Sequence, residues 1–222
     1  TRTRNLAIRL LEQRWRRRSS AALSAQIKTT NNAGEPLRIQ IGSGSNRLDG
    51  WLNTDLSNQG EYFLDAINLE NIPDGSVDLI YGEQVIEHLD YSQASDFLNQ
   101  ARKKLKRNGI IRISTPDLHA LTSNYAEQTD LNSSLVELMI SKGNDTHGDH
   151  ASASVNVWFY SWGHKFIFDE LTLTDLMKAS GFSKITRFEV GKSDRPELSD
   201  IEQHEVGSVI DRITLVLQAQ RE

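Results

Sequence analysis

The residues of this sequence best suited to ligand chemistry are a glycine turn and a carboxylate that follows it. Residues 37–41 alternate and are rich in β-forming side chains, which predicts a short buried strand. Gly42, Ser43 and Gly44 come directly after it, where glycine accepts positive φ and lets the backbone approach a ligand closely. A second strand-like run ends at Asp55, whose carboxylate can accept hydrogen bonds from ribose hydroxyls. The pattern predicts a site for a nucleotide-like cofactor.

Three further strand-like runs also end in residues able to contact a ligand. These runs cover residues 61–66, 77–82 and 110–114. The candidates at their ends are Asp65, Gly82, Glu83 and the stretch 115–117. Because ligands of parallel sheets bind at the carboxyl ends of the strands, we expect these residues to converge on one edge with the glycine turn.

Helical segments alternate with the strands. The periodicity predicts helices over 93–107, 118–128, 132–142 and 171–180, and strands over 185–190 and 212–219. Alternating strands and helices imply an α/β fold with a parallel sheet covered by helices on both faces. The regular alternation of strands and helices ends at residue 118, and we expect residues 118–168 to form an irregular substrate or lid segment, least regular from residue 142 onward.

The first 30 residues are basic, unlike the rest of the chain. They hold eight arginine and lysine side chains against one acid, a net charge of +7, whereas the whole chain carries −5. Leu6, Leu10, Leu11 and Trp15 recur at helical spacing, which predicts a helix over 5–28 and then a polar linker. Two interpretations are open. The helix docks on its own domain, or it meets an anionic membrane surface or an acidic partner.

Composition narrows the class of protein. The 222 residues suit one main domain, predicted over 34–222, with an N-terminal helix and linker over 1–33. The chain has no cysteine, no secretory signal pattern and no apolar run of the roughly 18 residues that a membrane span needs, which favours the cytoplasm. The body beyond residue 30 carries a net charge of −12, which argues against a nucleic-acid partner.

Four stretches, taken together, resemble a known family. They are IQIGSGSN from residue 39, GWLNTDL from 50, IPDGSVDLIYGEQVIEHL from 72 and LKRNGIIRISTPDL from 105. Their order is similar to that of class I methyltransferases that use S-adenosylmethionine, nearest to the type 11 group and its relatives encoded with cell-surface polysaccharide genes. HKFIFDELTLTDLMKASGF, from residue 164, resembles the end of that subgroup's domain.

The resemblance implies a Rossmann-like sheet of seven mostly parallel strands with the last strand antiparallel. It also implies S-adenosylmethionine as cofactor and O-methylation of a saccharide or a related small surface-polymer precursor. The implied cofactor contacts are Gly42 and Gly44 with Ser43 between them, Asp55 at the ribose, Asp65 and Ala66 at the adenine, and Glu83 and Gln84 beside the cofactor. Glu87 and His88 match the family's acid–histidine pair, which we expect to be partly structural.

The sequence also departs from the family pattern. Gln40 stands where members often carry an acid and Asn46 where they carry glycine. The glycine turn lies so close to Asp55 that the usual helix between the first two strands must be very short or absent. A non-catalytic binding module that docks through its basic helix therefore stays open. An NAD-dependent oxidoreductase is disfavoured, because Arg47 stands at the third glycine position of its motif and Asp55 comes too early.

Methyl transfer to a hydroxyl is helped by a general base with a pKa near the working pH, and histidine suits that role. The candidates are His147, His150, His164 and Asp117. Our hypothesis is that His150 or His164 is the base and that Tyr160 and Trp162 shape the acceptor pocket. The alternative is that the aromatic side chains around Trp162 only cover the edge of the sheet.

Asp145, His147, Asp149 and His150 also resemble a ligand set for zinc or a hard metal ion. Nothing in their spacing establishes a geometry, and Gly148 indicates a mobile loop. No bound metal is expected from this stretch.

Overall fold

The computed structural model describes residues 2–127, 130–143, 150–203 and 208–222, and the side chains from residue 10 onward. Its centre is one sheet of seven strands in the order β3-β2-β1-β4-β5-β7-β6. The strands are β1 (Arg38–Ile41), β2 (Leu52–Asp55), β3 (Tyr62–Phe63), β4 (Val77–Glu83), β5 (Leu105–Pro116), β6 (Phe182–Phe188) and β7 (Thr214–Arg221). Strands β1 to β5 pair in parallel, and β7 runs antiparallel between β5 and β6. The predicted Rossmann-like fold class is confirmed.

Six α-helices accompany the sheet in the described part of the chain. They are α1 (Arg2–Ala33), α2 (Tyr91–Lys104), α3 (Leu118–Glu127), α4 (Asp130–Ser141), α5 (Ala151–Tyr160) and α6 (Glu170–Ala179). Helix α5 lies where an irregular segment was predicted. Its buried Val157 and Trp158 join Leu121 of α3 and Leu135 of α4 in a separate apolar cluster, so burial of this face explains why the segment is helical.

Helix α2 ends at Lys104, three residues before its predicted end, and β5 begins at Leu105. Leu105 is fully buried and pairs with Val77 of β4. Asn108, which was expected with Gly109 to end the helix, lies within β5 at φ +64°, where the pairing of β5 with β4 shifts register. Packing of Leu105 against β4 has therefore overridden the helical periodicity of this stretch.

Helix α1 runs beyond its predicted end and takes up most of the expected linker. Gly34, at φ +69°, ends the helix, and its N–H donates to the carbonyl of Asn31 at 3.1 Å. The N–H of Glu35 donates to the carbonyl of Thr30 at 3.2 Å, which completes a Schellman motif. Pro36 then prevents further helix.

The second half of α1, with Trp15 and Arg16 just before it, docks on the sheet. Leu23 and Ile27 are buried in the main core. The N–H of Phe63 in β3 donates to Ser19 Oγ at 2.7 Å, and the ring of Trp15 meets Phe63 edge-on at 5.8 Å. For this half, the structure shows the helix docked on its own domain.

In the first half of α1, the leucine side chains that the structure describes before Trp15 are largely exposed. Leu10 is 56% exposed and Leu11 is 65% exposed. Of the helices described, none has the length and apolar character needed to cross a bilayer. Contact of this half with a lipid surface or an acidic partner stays a prediction.

One face of the sheet is apolar. Ile39, Ile80 and Ile111 pair in register across β1, β4 and β5, and all three are fully buried. They pack in the main core with the inward faces of α1, α2 and α6. We call this side the apolar face.

The opposite face carries a buried row of polar side chains, because side chains alternate along a strand. Gln40, Tyr81, Arg112 and Gln218 pair in register across β1, β4, β5 and β7. We call this side the polar face. The segment 190–203 covers much of it, without an α-helix.

The covering segment satisfies several of these polar groups. Arg112 Nε donates to Glu202 Oε1 at 2.6 Å, and both side chains are fully buried. Gln218 Nε2 donates to Asp194 Oδ1 at 2.7 Å, and Ser193 Oγ donates to Gln218 Oε1 at 2.9 Å. An irregular segment can offer side chains and free backbone groups to such a row, whereas the backbone of a helix is already hydrogen-bonded.

Candidate functional site

The glycine turn follows β1 directly, and no helix lies between β1 and β2, as its closeness to Asp55 predicted. Gly42 has φ +71°, and a Cβ there would lie 2.2 Å from Val85 Cγ2. The N–H of Ser43 donates to the carbonyl of Thr54 at 2.9 Å, which ties the turn to β2. Position 42 therefore requires glycine for both its backbone conformation and its contact with Val85.

Asp55, at the end of β2, holds this turn together. Its Oδ2 accepts a hydrogen bond from the N–H of Gly44 at 2.9 Å. Its Oδ1 accepts from both the N–H and the hydroxyl of Ser57, at 2.7 Å each. A carboxylate offers about four acceptor positions, so the three hydrogen bonds leave capacity for one further donor.

A cavity of about 390 Å³ opens at the carboxyl ends of β1, β2 and β4. Its volume is in the range of small-molecule sites. The lining residues are Ile41, Gly42, Asp55, Leu56, Leu64, Asp65, Ala66, Ile67, Gln84, Val85, His88, Leu89, Gln93 and Lys165. We call it the inner cavity.

Five of the eight residues predicted to contact the cofactor line the inner cavity. They are Gly42, Asp55, Asp65, Ala66 and Gln84. Ser43 and Gly44 form the adjoining turn but are not among the lining residues. Binding of a cofactor by these residues stays a prediction at this point.

Glu83 is also absent from the lining, and its side chain belongs to the polar face. Its two carboxylate oxygens accept from the N–H of Gln203 at 3.1 and 3.2 Å. Burial raises the pKa of Glu83 to about 7. Alternation along β4 explains this position, since Glu83 points to the same face as Tyr81 two residues before it.

Glu87 is buried beside the inner cavity, in the short 3₁₀ turn after β4. Its Oε2 accepts a hydrogen bond from Thr115 Oγ1 at 3.0 Å. Burial raises the pKa of Glu87 to about 8. A carboxyl group at this position therefore holds its proton more strongly than one in water.

Two histidines lie next to Glu87. The ring of His88, which lines the inner cavity, meets the ring of His164 at 4.9 Å. His164 Nδ1 lies 2.6 Å from the carbonyl oxygen of Trp158. Burial lowers the pKa of both imidazoles, and for His88 the neighbouring His164 lowers it further. Both rings are therefore biased towards the neutral form.

The other two predicted bases lie elsewhere. Asp117 is buried, and its Oδ2 accepts from Arg187 Nη2 at 2.9 Å while its Oδ1 accepts from the N–H of His119 at 2.9 Å. His150 is exposed at the start of α5. None of Asp117, His150 and His164 lines the inner cavity, but His164 packs against His88, which does. Asp145, His147 and Asp149 lie outside the described residues.

The aromatic residues after α4 differ in burial. Trp158 is buried in the cluster formed by α3 to α5, and Trp162 packs against it with ring centroids 5.3 Å apart. Tyr160 is 83% exposed. None of the three lines the inner cavity, and Trp158 acts as a core residue.

A second, larger cavity of about 780 Å³ lies between α1 and the loop after β2. It shares Asp55 and Leu56 with the inner cavity and is also lined by Leu11, Trp15 and Arg16. The guanidinium of Arg16 lies 5.1 Å from the centre of the Phe63 ring. Helix α1 therefore forms one wall of the space next to Asp55.

Several lining residues were not singled out from the sequence. Val85 and Leu89 flank the Glu87–His88 pair, and their apolar character in the stretch after β4 was the available signal. Lys165 Nζ donates to Gln93 Oε1 at 2.9 Å, although the two residues are 72 positions apart. No local pattern could have placed Lys165 and Gln93 together.

No family model matches the sequence, and no curated protein matches it. Solved structures do match. A SAM-dependent methyltransferase from Archaeoglobus fulgidus is 17% identical, with 95% of this chain and 98% of that chain covered and a TM-score of 0.50. An S-adenosylmethionine-dependent methyltransferase from Mesorhizobium loti is 15% identical, with 83% and 90% covered and a TM-score of 0.50.

The CurJ carbon methyltransferase is 13% identical, with 84% of this chain and 48% of that chain covered and a TM-score of 0.50. At such identities the likeness concerns the fold alone. The structural neighbours are thus S-adenosylmethionine-dependent methyltransferases, and this chain has their class I fold.

Proposed function

We propose that this protein is an S-adenosylmethionine-dependent methyltransferase. The observation that carries the proposal is the position of the inner cavity at the carboxyl ends of β1 and β4, where the strand order reverses. Ligands of open α/β sheets bind at this switch point. The cavity is also bordered there by the glycine turn and by Asp55.

The lining supports a division of roles along the cofactor. Gly42 and Val85, which pack against each other, line the part of the cavity next to the glycine turn, where the methionine part would lie. Asp55, with one acceptor position left, suits a ribose hydroxyl. Asp65 and Ala66 lie at the far side of the cavity, where the adenine would pack.

The cofactor would supply an electrophilic methyl group on a sulfonium sulfur, and the protein would position it and the acceptor. Placing the acceptor atom in line with the methyl group lowers the barrier without a covalent step on the protein. A hydroxyl acceptor must also lose a proton. Glu87, His88 and His164 lie together after β4 as candidates for that purpose, and His88 lines the inner cavity.

A saccharide or a related surface-polymer precursor is the acceptor class we propose, on the resemblance of the sequence alone. The larger cavity between α1 and the loop after β2, next to Asp55, has room for such a molecule. Methyl transfer from radiolabelled S-adenosylmethionine to a panel of saccharides and sugar nucleotides tests this class. Cofactor binding without transfer to any of them would favour the alternative of a non-catalytic binding module.

Calorimetric titration with S-adenosylmethionine and then S-adenosylhomocysteine tests the cofactor. We expect micromolar binding by the wild type and a loss of roughly tenfold or more in Gly42→Ala, whose new Cβ would meet Val85 at 2.2 Å. Gly75→Ala is the matched control, because Gly75 has φ +64° but a Cβ added there would meet nothing within 4 Å. Absence of binding by folded wild-type protein would refute the proposal.

A further inference from the structure

A carboxylate and two imidazoles converge beside the inner cavity. One potential ligand atom from each of Glu87, His88 and His164 lies within 4.8 Å of the other two. Glu87 and His88 belong to the turn after β4, whereas His164 lies beyond α5. The N–H groups of Lys165 and Phe166 donate to the carbonyl of Glu87, at 2.8 and 3.2 Å. Backbone hydrogen bonds therefore hold the two segments together.

The second oxygen of Glu87 gives an independent indication of a ligand. The side chain is fully buried, and Thr115 satisfies only Oε2. Oε1 has no hydrogen-bond partner among the residues that the structure describes. An unsatisfied buried carboxylate oxygen is costly, and a cation bound to it would remove that cost.

His164 is oriented as metal-binding histidines usually are. A carbonyl oxygen can only accept, so the neutral ring places its proton on Nδ1, towards Trp158. The lone pair is then on Nε2. A backbone carbonyl that holds the far nitrogen is the usual outer contact of a metal-bound imidazole.

We propose that Glu87, His88 and His164 bind one divalent first-row transition ion, of which Zn²⁺ is the type. One carboxylate and two imidazoles form a donor set of that class, whereas Mg²⁺ and Ca²⁺ prefer oxygen ligands alone. Bound donor atoms would lie about 3.4 Å apart. The two histidines, which are only partly buried, can close the remaining distance by small side-chain rotations.

Three protein ligands leave a coordination position open, and His88 places that position at the inner cavity. A hydroxyl bound there would become more acidic, because the cation stabilises the alkoxide. In this arrangement the two imidazoles hold the ion and do not take the proton. This catalytic role rests on the proposed methyltransferase function, whereas metal binding does not.

The test uses the full chain, stripped of metal with a chelator and titrated with Co²⁺ and Zn²⁺ in the absence of S-adenosylmethionine. We expect one equivalent of Co²⁺ to give a visible d–d absorption band, Zn²⁺ to displace it, and Zn²⁺ to raise Tm. His164→Ala and Glu87→Gln should each weaken binding roughly tenfold or more. His119→Ala, at an exposed histidine outside the cluster, should bind as the wild type does.

Absence of a one-equivalent Co²⁺ signal, or wild-type affinity in both cluster variants, would overturn the proposal. Circular dichroism of the metal-free proteins shows which variants fold. If Glu87→Gln fails to fold, the metal affinity of His164→Ala decides between the outcomes. We expect this variant to fold, because the side chain of His164 is only partly buried and lies in a loop. Because the titration needs no cofactor, its failure and failure of S-adenosylmethionine binding are distinguishable.

Discussion

The two faces of the sheet are both buried but are built on different principles. The apolar face packs Ile39, Ile80 and Ile111 under helices, by contacts that need no particular partner atom. The polar face holds Arg112 and its neighbours under an irregular segment, where Arg112 pairs with Glu202 and Gln218 is hydrogen-bonded to Ser193 and Asp194. The comparison teaches that the two sides of a buried strand can differ: one tolerates changes of apolar side chain, and the stability given by the other depends on charge and pH.

The largest expected effect is on the polar face. Glu202→Gln should lower the free energy of unfolding by about 3–5 kcal/mol, because it leaves the charge of buried Arg112 uncompensated. Urea unfolding measures the change. Glu197→Gln, at an exposed position of the same covering segment, should change it by less than about 0.5 kcal/mol. Equal effects of the two variants would show that the pair is not a major determinant of stability.

The second prediction concerns pH and Glu83. Its folded pKa, about 7, lies above the ordinary glutamate value of 4.5, so the folded state binds the proton more tightly. The contribution of Glu83 to stability is therefore fully present below pH 4.5 and is lost as the pH rises through 7. Glu83→Gln removes this pH-dependent loss. We therefore expect the free energy of unfolding of the variant, relative to that of the wild type, to rise by up to about 3 kcal/mol between pH 4.5 and pH 8.

Unfolding of both proteins in urea across this pH range, with a chelator present, measures the difference. Glu61→Gln, at an exposed carboxylate, is the control and should show no such gain. A constant difference between Glu83→Gln and the wild type at every pH would contradict the prediction.

The smallest expected effect is on the apolar face. Ile111→Val removes one methylene group next to Arg112 in sequence but on the opposite side of β5. It should cost about 1 kcal/mol, the same at every pH, because only packing is lost. Urea unfolding at two pH values checks this. A marked pH dependence would show that the two faces are coupled.

Local patterns predicted the parts of the molecule that depend on neighbours in sequence. The strand before Gly42, the glycine turn and the strand that ends at Asp55 are contiguous, so alternation and glycine content were sufficient to place them. The same holds for α6, which begins at an N-cap, Asp169, whose side chain accepts from the N–H of Thr172. For α1, by contrast, the pattern suggested an earlier end than the Schellman motif at Gly34 gives.

The roles of individual carboxylates and histidines needed the tertiary structure. Asp117 was a candidate base from the sequence, but its carboxylate forms an ion pair with Arg187, which is 70 residues away along the chain. Glu83 looked like a cofactor contact, but Gln203, 120 residues away, binds its oxygens. Such partners leave no trace in local periodicity, because they come from segments that meet only when the chain folds.

By itself the sequence determined the α/β class, the edge of the sheet at which the inner cavity opens and the residues nearest the turn. These follow from short-range rules of alternation, helix periodicity and glycine conformation. Only the tertiary structure decided that the sheet has a polar face, that α5 is a helix and that His164 joins Glu87 and His88 beside the inner cavity. The physical reason is that burial and hydrogen bonding depend on which residues are close in the folded protein. The separation of two residues along the chain does not tell how close they are in space.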